Sequence, residues 1–211
     1  MLREIVFKFN EKYIYHDIIE SLVTALEAKD YYTSGHSKRV AFMTYELAKR
    51  LEIRGRKLNE IHVAAHVHDI GKIGVPDVIL NKKRRLLPHE WEYVKMHSII
   101  GYNILSKSSK LNTISKIVLH HHESWDGNGY PDGLYGTNIP LGSRIIAVCD
   151  SIDAMMSDRP YRKAMKFDDC MKEIISSKCI MFDPVIVSFV EGNLEFINKL
   201  VISRMNETSR E

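Results

Sequence analysis

The sequence has few of the features that mark secreted or membrane-spanning proteins. It contains three cysteines in 211 residues, Cys149, Cys170 and Cys179, and no two of them form a C-x-x-C pair. An odd number of cysteines without a secretory leader argues against a disulfide framework and favours reduced thiols. The longest apolar runs are far too short to cross a bilayer. We therefore expect a cytoplasmic protein that is not associated with a membrane.

Neither sign of charge dominates the chain. Thirty basic and 27 acidic residues leave a formal net charge of +3, an excess too small to mark a protein that binds a nucleic acid polymer. The hydrophobic share of 45% and the charged share of 27% are those of an ordinary globular domain. We expect one domain over residues 15–205, an N-terminal arm at 1–14 whose structure the sequence does not decide, and a flexible tail at 206–211.

Helical periodicity dominates the sequence that remains. Apolar residues recur three and four positions apart, which is the spacing of one face of a helix. The pattern indicates an all-α fold. It predicts helices over residues 15–30, 35–51, 60–71, 89–105, 112–122, 144–157 and 167–177, followed by one more.

Capping residues predict where two of these helices begin or end. Asn59 can cap the third helix, which we expect to run through His68 to a stop at Gly71. Asp183 can cap the last helix, with Pro184 at its first position. Both predictions concern local chemistry at a helix end, and the structure can test each of them directly.

Two apolar stripes predict which helix faces are buried. On the first helix, Ile18 and Leu22 belong to the stripe that we expect to face the core. On the helix over 89–105, Trp91 and Ile104 are expected to point inward in the same way. If both stripes are buried, the two helices pack against one common core.

One long segment breaks the helical pattern. Residues 125–143 contain five glycines and two prolines. A segment of this length without regular structure inside a compact domain is usually functional. We therefore expect a long Gly/Pro-rich loop beside the functional site.

The pair His68-Asp69 is the strongest sign of chemistry. An imidazole and a carboxylate in adjacent positions suit a divalent metal of hard to borderline character. The two oxygens of Asp69 could bridge two such metals. Standing alone, His68 would more often be an ordinary core histidine, so the interpretation depends on further ligands.

Further ligand candidates lie near the ends or on the inward faces of the predicted helices. Asp150 interrupts an apolar run, and a buried carboxylate needs a partner or a metal. Five histidines and two aspartates in such positions predict one metal site. Its ligands are His36, His68, Asp69, His97, His121, His122 and Asp150.

In their order along the chain these residues resemble the HD-GYP domain family. The likeness covers roughly residues 30–190, and its motifs are long and ordered. The residues that carry it are His36, the run H-D-I-G-K from His68 to Lys72, His97, the run H-H-E from His121 to Glu123, the run Gly129-Tyr130-Pro131, and Asp150.

The resemblance implies an all-α HD-domain bundle with a GYP loop and a metal-dependent phosphodiesterase of signalling. Its expected substrate is cyclic di-GMP or a related cyclic dinucleotide, and its product the linear dinucleotide or GMP. The resemblance implies divalent metals, most often iron or manganese, with nickel or zinc as alternatives. Some members with three metals carry a Glu four residues before the first ligand histidine, where this chain has Tyr32. Two metals are therefore expected here.

The resemblance also implies roles for individual residues. The seven predicted ligands match the metal-binding positions, and Asp69 and Lys72 match the catalytic ones. Lys72 would stabilise charge on the phosphate in the transition state. Arg159 and Arg162, placed on one helical turn, could hold the second phosphate. Together with Lys72 and Tyr130, these two arginines match the substrate-contacting positions.

Other functions and partners remain open at this stage. The fold could serve an HD-type nucleotide phosphohydrolase, a receptor that binds a cyclic dinucleotide without cleaving it, or a purely structural helical protein. The first predicted helix could pair across a homodimer, and a regulatory protein partner is an alternative.

Overall fold

The structure is a computed structural model that describes residues 17–30, 35–158 and 162–208. Short 3₁₀ helices lie at Ile70–Gly74, Ser109–Leu111 and Gly136–Asn138. The described part of the chain is helical and contains no sheet, which confirms the all-α prediction. The α-helices are α1 (17–27), α2 (His36–Arg50), α3 (Gly55–His66), α4 (Asp77–Leu80), α5 (Pro88–Leu105), α6 (Asn112–Leu119), α7 (Leu141–Met156), α8 (Phe167–Ser176), α9 (Pro184–Glu191) and α10 (Leu194–Thr208).

The core lies where α2, α3 and α7 pack against one another. Leu47, Ile61 and Ile145 come one from each helix, and each is at most 1% exposed. Burying an aliphatic side chain of this size stabilises the fold by about 1.5–3 kcal/mol. These helices therefore form the rigid part of the domain, and their ends provide fixed positions for polar side chains.

The third helix begins and ends earlier than its sequence predicts. It starts at Gly55, so the predicted cap Asn59 lies inside it, and it ends at His66 rather than at Gly71. Val67 leaves the helix with φ −111° and ψ 14°, and its N–H donates to two carbonyls of the preceding turn. Such a tightened last turn ends a helix without glycine. Both predicted ends are therefore wrong.

The start of α9 confirms that Asp183 caps a helix, although α10 follows α9, so two helices stand where one last helix was predicted. A carboxylate oxygen of Asp183 accepts a hydrogen bond from the N–H of Val185 at 2.8 Å, and Pro184 occupies the first helical position. The same carboxylate pairs with Arg144 on α7 at 2.5 Å. This cap therefore also fixes α9 against the core.

The apolar stripes of the first and fifth helices are only partly buried. Ile18 and Leu22 are 50% and 51% exposed, and Trp91 and Ile104 are 44% and 42% exposed. The prediction that these four side chains face the core is therefore wrong. The buried face of α5 consists of His97, Ser98 and Gly101, because this helix turns polar and small residues towards its neighbours.

Gly71 fixes the distance between the 3₁₀ helix Ile70–Gly74 and α5. A Cβ atom at this position would lie 1.8 Å from the carbonyl oxygen of His97 and 2.5 Å from the N–H nitrogen of Gly101. Both atoms belong to backbone, so neither can move without shifting the helix. The absence of a side chain here sets how closely the two segments approach.

Gly71→Ala is expected to destabilise the domain by about 3 kcal/mol or more, because overpacking against backbone forces main-chain shifts. Urea unfolding would measure the change. Gly192→Ala is a suitable control, since the nearest atom to its Cβ is a carbonyl oxygen at 3.5 Å and its φ is ordinary. Equal stability of the two variants would contradict the role given to Gly71.

Two further predictions concern the ends of the chain and the membrane. The predicted arm at 1–14 lies outside the described residues. Helix α10 continues to Thr208, into the segment 206–211 that was predicted as a tail. None of the described helices combines the length and the apolar character that a membrane span requires.

Candidate metal centre

The structure brings the seven predicted ligands together from five elements. They are His36 at the start of α2, His68 and Asp69 after the end of α3, His97 on α5, His121 and His122 after the end of α6, and Asp150 on α7. Five of them are buried: His36, His68, Asp69, His97 and His121. Residues separated by more than a hundred positions thus share one interior site.

Helices α3 and α6 end in the same way, and each is followed directly by an adjacent pair of ligands. The residue that caps α3, Val67, has φ −111° and ψ 14°, and the residue that caps α6, His120, has φ −108° and ψ 15°. Each cap turns the chain out of the helix and directs the next two residues inward. The local backbone thereby explains why ligand pairs follow both helices directly.

Asp69 lies between two groups of potential ligands. One group consists of Asp69, His97, His121 and His122, and the other of Asp69, His36 and His68; within each group the ligand atoms lie within 4.8 Å of one another. Oδ1 of Asp69 is 3.5 Å from Nε2 of His97, and Oδ2 is 3.5 Å from Nε2 of His68. The two carboxylate oxygens therefore face different groups.

Backbone carbonyls fix the orientation of three of the imidazoles. Nδ1 of His68, His97 and His121 lies 2.8, 2.7 and 2.6 Å, respectively, from the carbonyl oxygen three residues earlier. A carbonyl can only accept, so each Nδ1 carries the proton. In a neutral ring this leaves the lone pair on Nε2, the atom that points into the centre.

The contact between His97 and His121 fits a cation. Their Nε2 atoms are 3.3 Å apart, although both rings already donate through Nδ1. Burial lowers the pKa of His97, and burial together with the neighbouring imidazoles lowers that of His121 well below its usual range. Two neutral rings thus direct lone pairs at each other, an arrangement that a bound metal would stabilise.

The neighbouring His122 has the same electrostatic character. Burial, and then the nearby imidazole of His97, lower the pKa of His122 to about 3. Its ring lies 4.0 Å from that of His121, measured between centroids. This side of the centre therefore offers neutral nitrogen ligands beside one carboxylate.

Carboxylates surround His36 on the other side of the centre. Its Nε2 lies 3.3 Å from Oδ1 of Asp150, and its Nδ1 lies 2.7 Å from Oδ2 of Asp153. Burial alone would lower the pKa of His36, but hydrogen bonds and the charges of these two aspartates raise it to about 9. This half of the centre thus favours a positive charge, which a metal would supply.

Asp153 and Arg39 belong to the centre although the sequence interpretation omitted both. Arg39 donates to Asp153 from Nε at 2.6 Å, and Asp153 is 4% exposed. Burial would raise the pKa of Asp153, but the hydrogen bonds from His36 and Arg39 lower it. The spacing of Asp153, three residues after Asp150 on one helix, could have identified it.

Asp153→Asn is expected to weaken metal binding in the His36 group by about tenfold to a hundredfold, because a carboxylate that orients a ligand histidine has effects of this size. Metal content and titration of the metal-free protein would measure it. Asp168→Asn, at an exposed position on α8, provides the control. Unchanged affinity in Asp153→Asn would show that His36 does not need this partner.

Lys72 forms an ion-pair network at the edge of the centre. Its Nζ lies 2.7 Å from Oδ2 of Asp69 and 3.2 Å from Oδ2 of Asp30, which follows α1. Burial would lower the pKa of Lys72, but these carboxylates raise it, and the cation in turn helps to hold the pKa of Asp69 well below its usual range. Asp30 was not among the predicted residues, and no local pattern indicates its role.

The Gly/Pro-rich loop brings Tyr130 against the metal ligands. Its ring stacks on that of His122 with the centroids 4.9 Å apart, and its N–H donates to the carbonyl of His122 at 3.2 Å. A Cβ atom at Gly129 would lie 2.1 Å from the N–H nitrogen of Ser124, so only glycine fits there. Burial, and then the charges of Asp69 and Asp150, raise the pKa of Tyr130, which keeps its hydroxyl protonated.

The structure describes only one of the two arginines that were predicted to contact the substrate. Arg159 lies outside the described residues. Arg162 lies in the connection between α7, which ends at Met156, and α8, which begins at Phe167. Its Nη2 donates to the carbonyl of Ala154 at 2.7 Å. Arg162 is thus not in a helix, and the expected helical turn between Arg159 and Arg162 falls on residues 159–161, which lie outside the described part of the chain.

Comparisons with known proteins give matches over most of the chain. The family model described as HD domain matches residues 20–186. The cyclic di-GMP phosphodiesterase of Thermotoga maritima is 40% identical over 173 residues, which are 81% of this chain and 47% of that protein. The 3'3'-cGAMP-specific phosphodiesterase 3 of Vibrio cholerae is 39% identical over 170 residues, 79% of this chain and 37% of that protein.

The solved structures show the same fold. A cyclic GMP-AMP specific phosphodiesterase of V. cholerae superposes with a TM-score of 0.65 at 18% identity, over 84% of this chain and 48% of that one. The chain spans about half the length, or less, of the curated relatives named above.

Proposed function

Since the chain belongs to the HD domain family, as its resemblance to HD-GYP domains predicted, we propose that it is a metal-dependent phosphodiesterase acting on cyclic di-GMP or a related cyclic dinucleotide. The observation that carries the proposal is the position of Asp69 between two groups of imidazole ligands, with one carboxylate oxygen facing each group. The names of its relatives support the substrate class, because they include phosphodiesterases of cyclic di-GMP and of 3'3'-cGAMP.

We propose two divalent ions in this centre, one in each ligand group. Iron or manganese suits a mixed set of imidazoles and carboxylates, and nickel or zinc would also be accepted. When bound, the metals would supply positive charge to the phosphodiester and a water of lowered pKa. Tyr32, which stands at the position of a third-metal Glu, lies outside the described residues.

The residues of the chain would prepare the site for this chemistry. Asp69 would hold the two ligand groups in a fixed relation through its separate oxygens. Lys72, charged and directed at Asp69, would place a cation where negative charge develops on the phosphoryl oxygens. Tyr130, with a protonated hydroxyl, would donate a hydrogen bond to the bound substrate and would cover one side of the centre.

The test is turnover by the anaerobically purified protein. We expect cyclic di-GMP to be hydrolysed to the linear dinucleotide or GMP, activity to be lost after chelation, and activity to return with Fe²⁺ or Mn²⁺. A panel of nucleoside monophosphates and triphosphates would reveal an HD-type nucleotide phosphohydrolase instead. Tight binding of cyclic di-GMP without turnover in the metal-loaded protein would indicate a receptor, and the absence of metal would favour a structural protein.

Compartment and association are also proposals. We infer that the protein works in the cytoplasm, where its free cysteines Cys149, Cys170 and Cys179 would stay reduced. The exposed apolar residues Ile18 and Leu22 on α1 would suit pairing with a second copy, and a regulatory protein is the alternative partner. Light scattering of the purified chain would decide between a monomer and a homodimer.

A further inference from the structure

The Gly/Pro-rich loop is held by a buried carboxylate that is not among the predicted metal ligands. Glu123 directly follows the ligand pair His121-His122, and it is 4% exposed. Its Oε1 accepts a hydrogen bond from the N–H of Asp132 at 2.8 Å, and its Oε2 accepts one from the N–H of Leu134 at 3.1 Å. Both oxygens of this side chain are therefore bound to the backbone of the loop.

The part of the loop before Asp132 lies against the same stretch of chain. The N–H of Tyr130 donates to the carbonyl of His122, and a Cβ atom at Gly129 would lie 2.4 Å from the Cα atom of Glu123. Contacts with this stretch thus precede and follow Tyr130 in the chain. Together they set the position of the Tyr130 ring, which stacks on the ring of His122.

A second contact holds the loop from the other side of the ligand pair. Nε2 of His120 lies 2.9 Å from Oδ2 of Asp132, whose side chain is 56% exposed. A polar contact at the surface contributes less than a buried hydrogen bond to a carboxylate, because water competes for both partners. Glu123 therefore provides the stronger of the two anchors.

We propose that Glu123 is a positioning residue, which holds Tyr130 beside the metal centre in the orientation that contacts the substrate. The inference rests on the proposed function, in which Tyr130 donates a hydrogen bond to the bound cyclic dinucleotide. Both oxygens of Glu123 are occupied by N–H groups of the loop, so it acts through the loop and not on the substrate. A loop that is ordered before binding spares the substrate the cost of ordering it.

Glu123→Gln keeps the size of the side chain, but its amide offers one acceptor and turns an NH₂ group towards a backbone N–H. In the metal-loaded chain, KM for cyclic di-GMP should rise at least about tenfold, because the loop then spends only a fraction of its time in the position that binds substrate. We expect kcat to change less than about threefold, since the lost interaction serves binding. A purely structural defect would instead lower the amount of active protein, and with it kcat, and leave KM unchanged.

A second variant tests whether Glu123 acts through Tyr130. Tyr130→Ala removes the side chain that is to be positioned, so adding Glu123→Gln to it should raise KM less than about twofold, because residues that act through one another have non-additive effects. Additive effects would overturn the proposal. Glu90→Gln is the matched control, since Glu90 also accepts a backbone N–H, that of Leu87 at 2.8 Å, but at the start of α5. It should keep the wild-type KM.

Hydrogen exchange tests the anchor without any substrate. In Glu123→Gln the N–H groups of Asp132 and Leu134 should exchange at least about tenfold faster than in wild type, while those of α7 keep their rate, because local opening of the loop leaves the core folded. Unchanged exchange in the loop, or an unchanged KM, would overturn the role of Glu123 and leave the proposed function standing. A wild-type protein that cleaves no cyclic dinucleotide would overturn the proposed function, and with it the part of the inference that concerns the substrate.

Discussion

Asp69→Ala is expected to lower the turnover of cyclic di-GMP at least about a thousandfold and to reduce the metal content of the protein. Loss of one well-placed charge at a catalytic centre typically costs two to three orders of magnitude, and here a ligand shared by two groups is lost as well. The physical reason is that Oδ1 faces His97 while Oδ2 faces His68 and Lys72. One substitution therefore removes a ligand from both groups of the metal centre.

Turnover of cyclic di-GMP and elemental analysis of the same anaerobic sample would test this expectation. Asp183→Ala is the matched control, because Asp183 is equally buried but caps α9 away from the centre. That variant should lose stability and keep its metal. Retained turnover with normal metal content in Asp69→Ala would exclude a role of this carboxylate between the two ligand groups.

Most of the candidate centre could be predicted from the sequence because its ligands belong to short ordered motifs. His68 and Asp69 were recognised by their adjacency, and Asp150 by a charge within an apolar run. The reason that they converge is not local, however. It depends on the early ends of α3 at His66 and of α6 at Leu119. The predicted helices, which ran to Gly71 and to His122, missed both of these ends.

The residues that the sequence did not reveal act across long separations. Asp30 reaches Lys72 over 42 positions and Asp153 reaches His36 over 117. No pattern in the chain indicates the contact of Asp30, whereas the position of Asp153 three residues after Asp150 on one helix is a signal that the sequence interpretation did not use. The exposed Ile18 and Trp91 show the same limit, since an apolar stripe indicates a possible contact face but not which part of it a neighbour covers.

Lys72→Met is expected to lower kcat for cyclic di-GMP by about a hundredfold to a thousandfold while the metals stay bound. Methionine retains most of the apolar stem of lysine and removes the ammonium group that lies 2.7 Å from Asp69 and 3.2 Å from Asp30. The lost cation stands where the phosphoryl oxygens would gain negative charge. The substitution should therefore destabilise the transition state more than it weakens substrate binding. KM is therefore expected to change much less than kcat.

Steady-state kinetics with metal analysis would separate this role from a structural one. Lys82→Met is the matched control, because Lys82 is also partly buried and ion-paired, with Glu90 at 2.6 Å, but lies outside the centre. It should keep wild-type kcat. If Lys72→Met instead loses its metals, Lys72 is needed to assemble the centre; if kcat is unchanged, its charge plays no part in the reaction, and the residues around Asp69 must stabilise the phosphate without it.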